Sequence, residues 1–149
     1  MKIKSFIFNP FQENTYVIYD ETKQCIIIDP GCYTLEEKNI LKKFIISEKL
    51  TPVKLVNTHC HIDHILGNNF VSKQWNIELY IHKEDLLLLD SATSISETYG
   101  LKDYQRSPQP KYFLNHGDKL SFGKSSFEVL FTPGHSPGHI SLYNKPNNI

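Results

Sequence analysis

A chain of 149 residues has the length of one domain, predicted here as 1–149, and can bury a core of useful size. Its 16 Lys+Arg balance 16 Asp+Glu, which gives no electrostatic case for a nucleic-acid partner or an acidic membrane surface. No stretch approaches a membrane span, and three cysteines without paired spacing (Cys25, Cys32, Cys60) argue against a disulfide scaffold and for a reducing cytoplasm.

Lys2 to Phe8 alternates as a strand does and is broken by Asn9-Pro10. Thr15 to Tyr19 and Cys25 to Ile28, joined by Asp20-Glu21-Thr22-Lys23, predict an antiparallel pair. Asp29-Pro30-Gly31 ends the second of these strands. Asp29 is either a carboxylate that orients a site residue or a turn former before proline. Thr34-Leu35-Glu36-Glu37 has the form of a capping box and opens a helix with Leu41, Phe44 and Ile45 on one face, ending before Thr51-Pro52. A strand from Val53 to Asn57, a helix from Asp63 to Gln74, a strand from Ile77 to His82 and a short helix from Lys83 to Leu89 follow. This alternation predicts a layered α/β domain.

Ser91 to Pro110 is polar, has no clear period and reads as a long loop. Within it, Tyr99 and Tyr104 either line a substrate entrance or anchor the loop to the body. Asn115 to Asp118 is a turn, Leu120 to Phe122 and Phe127 to Phe131 form a hairpin across Gly123, and Ile140 to Tyr143 is a further strand. Asn144 to Asn148 reads as a hairpin turn from which Ile149 begins a return strand.

The chemistry concentrates in Asn57-Thr58-His59-Cys60-His61-Ile62-Asp63-His64. Three imidazoles and a carboxylate fall within six residues at the end of a predicted strand. Imidazole and carboxylate are ligands that Zn, Mn and Fe accept. In an extended turn, His59 and His61 share a face while Cys60 points away from it. Asp63 and His64 then fall in the first helical turn, aimed at the same point. A second histidine turn, Thr132-Pro133-Gly134-His135-Ser136-Pro137-Gly138-His139, also follows a strand. His82 and His116 have no partner in the sequence and read as ordinary histidines.

His59-x-His61-x-Asp63-His64 and the turn around His135 resemble the first two histidine motifs of the metallo-β-lactamase superfamily. Asn9 to Tyr16 and Ile28-Asp29-Pro30-Gly31 resemble its glyoxalase II-like (hydroxyacylglutathione hydrolase-like) branch. The resemblance runs from residue 2 to residue 144. It implies an α/β (or α+β) αββα sandwich, of which this chain holds the N-terminal half and the start of the second. It also implies a first metal site of His59, His61 and His135, with Asp63 and His64 contributing to a second and Asp63 also orienting the attacking hydroxide. One or two Zn ions are expected, with Fe or Mn as alternatives, in an enzyme that cleaves a small-molecule thioester or related ester. His139 is then a hydrogen-bonded histidine beneath the site.

The family's bridging aspartate and the last histidine of its second site are not found in these residues. The pattern therefore predicts a chain incomplete at its C-terminal end. The alternative is a short protein that completes its sheet by self-association through an unpaired edge. Persulfide dioxygenases, with one iron on two histidines and an aspartate, also resemble Thr58 to His61, and lactonases and RNA-cleaving relatives share the motif. With those ligands missing, these 149 residues alone are expected to show weak or absent activity, and a non-catalytic metal-binding module is the rival from a different class.

Overall fold

The computed structural model describes all residues, Met1–Ile149. Lys2–Phe8 (β1), Glu13–Tyr19 (β2) and Gln24–Ile28 (β3) form an antiparallel meander. The same sheet then turns parallel through Thr51–Val56 (β4), Leu79–Ile81 (β5) and Tyr112–Phe113 (β6), in the spatial order β1 to β6. Because β3 to β6 all run one way, their C-terminal ends share an edge, where α/β sheets keep their ligands. A second, antiparallel sheet comprises Lys119–Phe122 (β7), Ser125–Phe131 (β8) and Ile140–Tyr143 (β9).

Alternation along β3 sends its residues into two cores. Cys25 and Ile27 face Leu41 and Ile45 of helix Leu35–Ser47 (α1), together with Val71 of Asn68–Trp75 (α3) and Leu89 of Leu86–Thr98 (α4). Ile26 and Ile28 face Leu120, Phe127 and Val129 of the second sheet. A strand covered on both faces needs an unbroken apolar run, which Cys25-Ile26-Ile27-Ile28 supplies. The layers are therefore helix, sheet, sheet. Asp20 fastens the sheets at one end, accepting from Thr22 N (2.9 Å) beside it and from Lys124 N (2.7 Å) and Ser125 Oγ (3.0 Å) in the β7–β8 hairpin. No helix is long and apolar enough to cross a membrane.

Several predicted elements change. The single helix from Asp63 to Gln74 is two, Ile62–Ile65 (α2) and α3, broken at Gly67. Gly67 N donates to Pro30 O at 2.7 Å, and a Cβ there would lie 2.5 Å from Cys32 Sγ. The break lets the loop after β3 press against the histidine segment. The strand at Ile77 to His82 shortens to Leu79–Ile81, and a 3-10 turn, Lys83–Asp85, precedes α4. The predicted short helix grows to thirteen residues and takes over the first part of the predicted loop.

Hydroxyls conceal that helix in the sequence. Ser91, Ser96 and Thr98 return their side-chain protons to the carbonyls of Leu87, Thr93 and Ser94, while Leu89 and Ala92 are buried. At the other end of the remaining loop, β6 is a strand the pattern did not signal. The capping box at Thr34 and Glu37 forms in both directions. At the C-terminal turn, Lys145–Asn147 is 3-10, and Asn144 and Ile149 exchange backbone hydrogen bonds, which closes the turn as expected.

Candidate metal centre

The first histidine segment leaves β4 at the shared edge and is fastened to the end of β3. Asp29, in a left-handed backbone conformation (φ 48°), accepts from Thr58 N at 2.7 Å and from Thr58 Oγ1. The Asp29 side chain thus ties the end of β3 to the start of the histidine segment. Asn57 Nδ2 donates to His64 O (3.1 Å) and Asn68 Oδ1 (3.3 Å), binding the strand's end to the helices. The second histidine turn joins β8 to β9, and Ile140 N donates to Thr58 O at 2.9 Å.

One residue that sequence reasoning missed ties these segments together. Asp85 is fully buried, and its carboxylate accepts from Cys60 N (2.8 Å), Ser136 Oγ (2.9 Å) and Gly138 N. A Cβ at residue 138 would come within 2.6 Å of Asp85 N, so only glycine allows this approach. The available signal was its place just past a strand that ends at the same edge.

His59, His61 and His135 come together as the two segments predict. Each offers a ring nitrogen, and the three lie within 4.8 Å of one another. His61 Nδ1 is 3.1 Å from His135 Nε2. His59 is buried, His61 half-buried and His135 exposed. A second group, Asp29, His59 and His64, meets the same spacing and shares His59. Asp63 belongs to neither trio but is close, with its carboxylate 3.3 Å from His64 Nε2. Asp29 and Glu13 lie 3.3 and 3.8 Å from His64 Nδ1.

The electrostatics differ between the groups. Burial, then the charge of His64, pushes His59 down to about 4, and burial with the nearby His135 also lowers His61. Burial works against the charged form of His64 too, but the Asp29 and Asp63 carboxylates prevail and raise it to about 10. For Asp63, burial is outweighed by His64, and its carboxyl stays below the ordinary value. Burial, with the charge of Asp29, lifts Glu13 to about 9, so it is a neutral acid at pH 7.

The donor set fits a divalent ion. Thr58 Oγ1 lies 3.2 Å from His59 Nδ1, which leaves Nε2 as the ligating atom, and that buried Nε2 has no hydrogen-bond partner. Buried polar atoms are nearly always paired, and an ion among three imidazole nitrogens would supply what His59 lacks. The histidines outside both groups have protein partners. His139 Nδ1 lies 3.0 Å from Thr132 Oγ1. His116 Nδ1 accepts from Phe131 N (3.2 Å), and His82 stacks on Phe131 while accepting from Glu84 N. Cys60 is buried, and burial first, then Asp85 and Asp29, raises its thiol far above the ordinary value, so it is an inert thiol. Of the two tyrosines, Tyr104 packs on the helix-side core with its hydroxyl at Ser107. Tyr99 lines a cavity beside His61.

The metallo-beta-lactamase superfamily profile matches residues 8–149. The chain belongs to the metallo-β-lactamase superfamily. It is 35% identical over 146 residues to the probable metallo-hydrolase YqgX of Bacillus subtilis, covering 97% of this chain and 66% of that protein. It is 29% identical to the hydroxyacylglutathione hydrolase GloC of Haemophilus influenzae, covering 95% and 66%. The chain thus spans about two thirds of the length of these curated relatives. Among solved structures, the BLEG-1 B3 metallo-beta-lactamase superposes with a TM-score of 0.84 at 31% identity, covering 98% of this chain and 68% of the other. A di-iron-bound form of TTHA1623 gives 0.82 at 31%, covering 97% and 68%. Membership of this superfamily establishes the metallo-β-lactamase fold, one that binds divalent metals.

Proposed function

We propose that this chain carries the metal-binding half of a hydrolase that cleaves a thioester, of the hydroxyacylglutathione type, or a related ester. The observation that carries this reading is the trio His59, His61 and His135, with the unpartnered Nε2 of His59 inside it. These three would hold the first ion, and His64 with Asp63 or Asp29 a second. A bound divalent ion supplies a water whose pKa falls from 15.7 toward about 7 and polarises the acyl carbonyl. Asp63, anionic at neutral pH, would accept a hydrogen bond from that water and orient it. Asp29 and Asp85 hold the histidine segments in register, and Glu13 stays neutral behind His64.

The 29% identical hydroxyacylglutathione hydrolase supports the thioester class, and the probable metallo-hydrolase supports hydrolysis. Zinc suits the three imidazoles, while the di-iron-bound relative favours iron as its competitor. Three free, buried cysteines accord with the cytoplasm as its compartment. Elemental analysis and thioester turnover test the scheme together. The metal-loaded chain should release thiol from S-lactoylglutathione faster than the chelator-treated chain, and His61→Ala should remove that difference. Full retention of turnover in His61→Ala would overturn the scheme.

A further inference from the structure

Beside the three imidazoles lies a cavity of about 490 Å³, within the range of small-molecule sites. His61 and Asp63 form part of its wall, so it is continuous with the candidate centre. Most of the remaining wall is apolar: Leu88 and Ile95 from one stripe of α4, with Tyr99 just past its end, face Ile62 and Phe11. No lysine or arginine lines it.

Phe11 and Tyr99 are 43% and 60% exposed, yet their rings meet edge to face at 5.5 Å and form a lip over the cavity. The loop that presents Phe11 is held firmly. Asn9 Nδ2 donates to Asp63 O (2.9 Å) and Gly31 O (3.0 Å), Phe11 N donates to Asn9 Oδ1 (3.0 Å), and Asn9 N donates to Glu37 Oε1 (2.6 Å). The aromatic wall is thus fastened to the backbone of Asp63, and little ordering remains for a ligand to impose.

We infer that this cavity seats the acyl side of the substrate and that this acyl group is uncharged and apolar, such as a short unbranched alkanoyl chain. The inference rests on the hydrolase reading above. The carriers on the thiol side of biological thioesters are polar and anionic, which a wall without cations does not suit. The acyl side is what such a wall fits. A lactoyl group, short and hydroxylated, should then be a poorer substrate than a hexanoyl group on the same thiol.

The test is a series of acetyl, butyryl, hexanoyl and lactoyl thioesters of one small thiol, assayed with the metal-loaded chain. Equilibrium binding of acetate and hexanoate is measured in parallel. We expect kcat/KM to rise about fourfold per methylene up to hexanoyl. Phe11→Ala and Tyr99→Ala should each cut the hexanoyl-to-acetyl ratio about tenfold, and Tyr99→Phe, which keeps the ring, should retain it. Neither side chain belongs to a buried core, so the variants test binding rather than folding. A flat series, or a ratio unchanged in both alanine variants, overturns the acyl cavity while leaving hydrolysis standing. No turnover, with hexanoate still bound more tightly than acetate and weakened by both variants, overturns hydrolysis and keeps the cavity. No turnover with equal binding of the two acids overturns both.

Discussion

The two ligand groups that share His59 are built on opposite principles. In the trio with His61 and His135, all donors are imidazoles, and burial favours the neutral form of His59 and His61. In the trio with Asp29 and His64, carboxylates surround an imidazole and hold it protonated, with His64 raised to about 10 against about 4 for His59. The first group is therefore ready for an ion at neutral pH. The second is an internal ion pair that must give up a proton before His64 can ligate. Neighbouring groups that share one histidine can thus differ in readiness although the sequence offers the same residue type to each.

The strongest way to break this contrast is to remove a ligand from the ready group. His61→Ala should weaken the tighter metal site by at least about 100-fold in chelator competition, whereas Asp63→Asn should leave that site within a few-fold of the parent. Equal losses would erase the distinction.

Removing the brace should have the next largest effect. Asp85→Asn places an amide donor among three donors, so it should destabilise the chain by about 1–3 kcal/mol in denaturant unfolding. It should also lower metal affinity by roughly tenfold to a hundredfold, as loss of a supporting hydrogen-bond partner does. Ser136→Ala, which removes one donor and keeps the carboxylate, should show a smaller share of both effects.

The smallest effect is a pH dependence of the chelator-treated chain, read as melting temperature. His59 has a folded value (about 4) below its unfolded 6.5, so its contribution is present above pH 6.5 and is lost as pH falls toward 4. His64 is raised from 6.5 to about 10, so its contribution is complete below 6.5 and is lost as pH rises toward 10. Glu13, raised from 4.5 to about 9, acts in the same direction, with stability falling as pH climbs from 4.5 to 9. Melting temperature should therefore decline from pH 6.5 toward pH 9, where His64 and Glu13 act together, and stay nearly level between pH 4.5 and 6.5, where Glu13 and His59 oppose each other. Glu13→Gln should make the alkaline decline shallower and uncover a fall in melting temperature below pH 6.5 as His59 becomes protonated.

Much of this was legible in the sequence, for local reasons. Alternation in Lys2 to Phe8 and the apolar run at Cys25 to Ile28 depend on nearest neighbours, as does the capping box at Thr34. The histidine spacing likewise encodes its own geometry, because alternate residues of an extended turn share a face. What escaped depends on atoms far apart in the chain. The helix break at Gly67 is set by Cys32 and Pro30, and the brace at Asp85 by Cys60, Ser136 and Gly138. The approach of Asp29 to His59 and His64 follows from how β3 and β4 end side by side. Helix α4 was hidden because serine and threonine read as loop residues, although there they return their hydroxyl protons to helix carbonyls.

Across the three-imidazole group, accessibility falls stepwise from His135 through His61 to His59. That gradient gives loading a direction. A cation arriving from solvent would meet the outermost ring first and would shed the last of its hydration at the innermost.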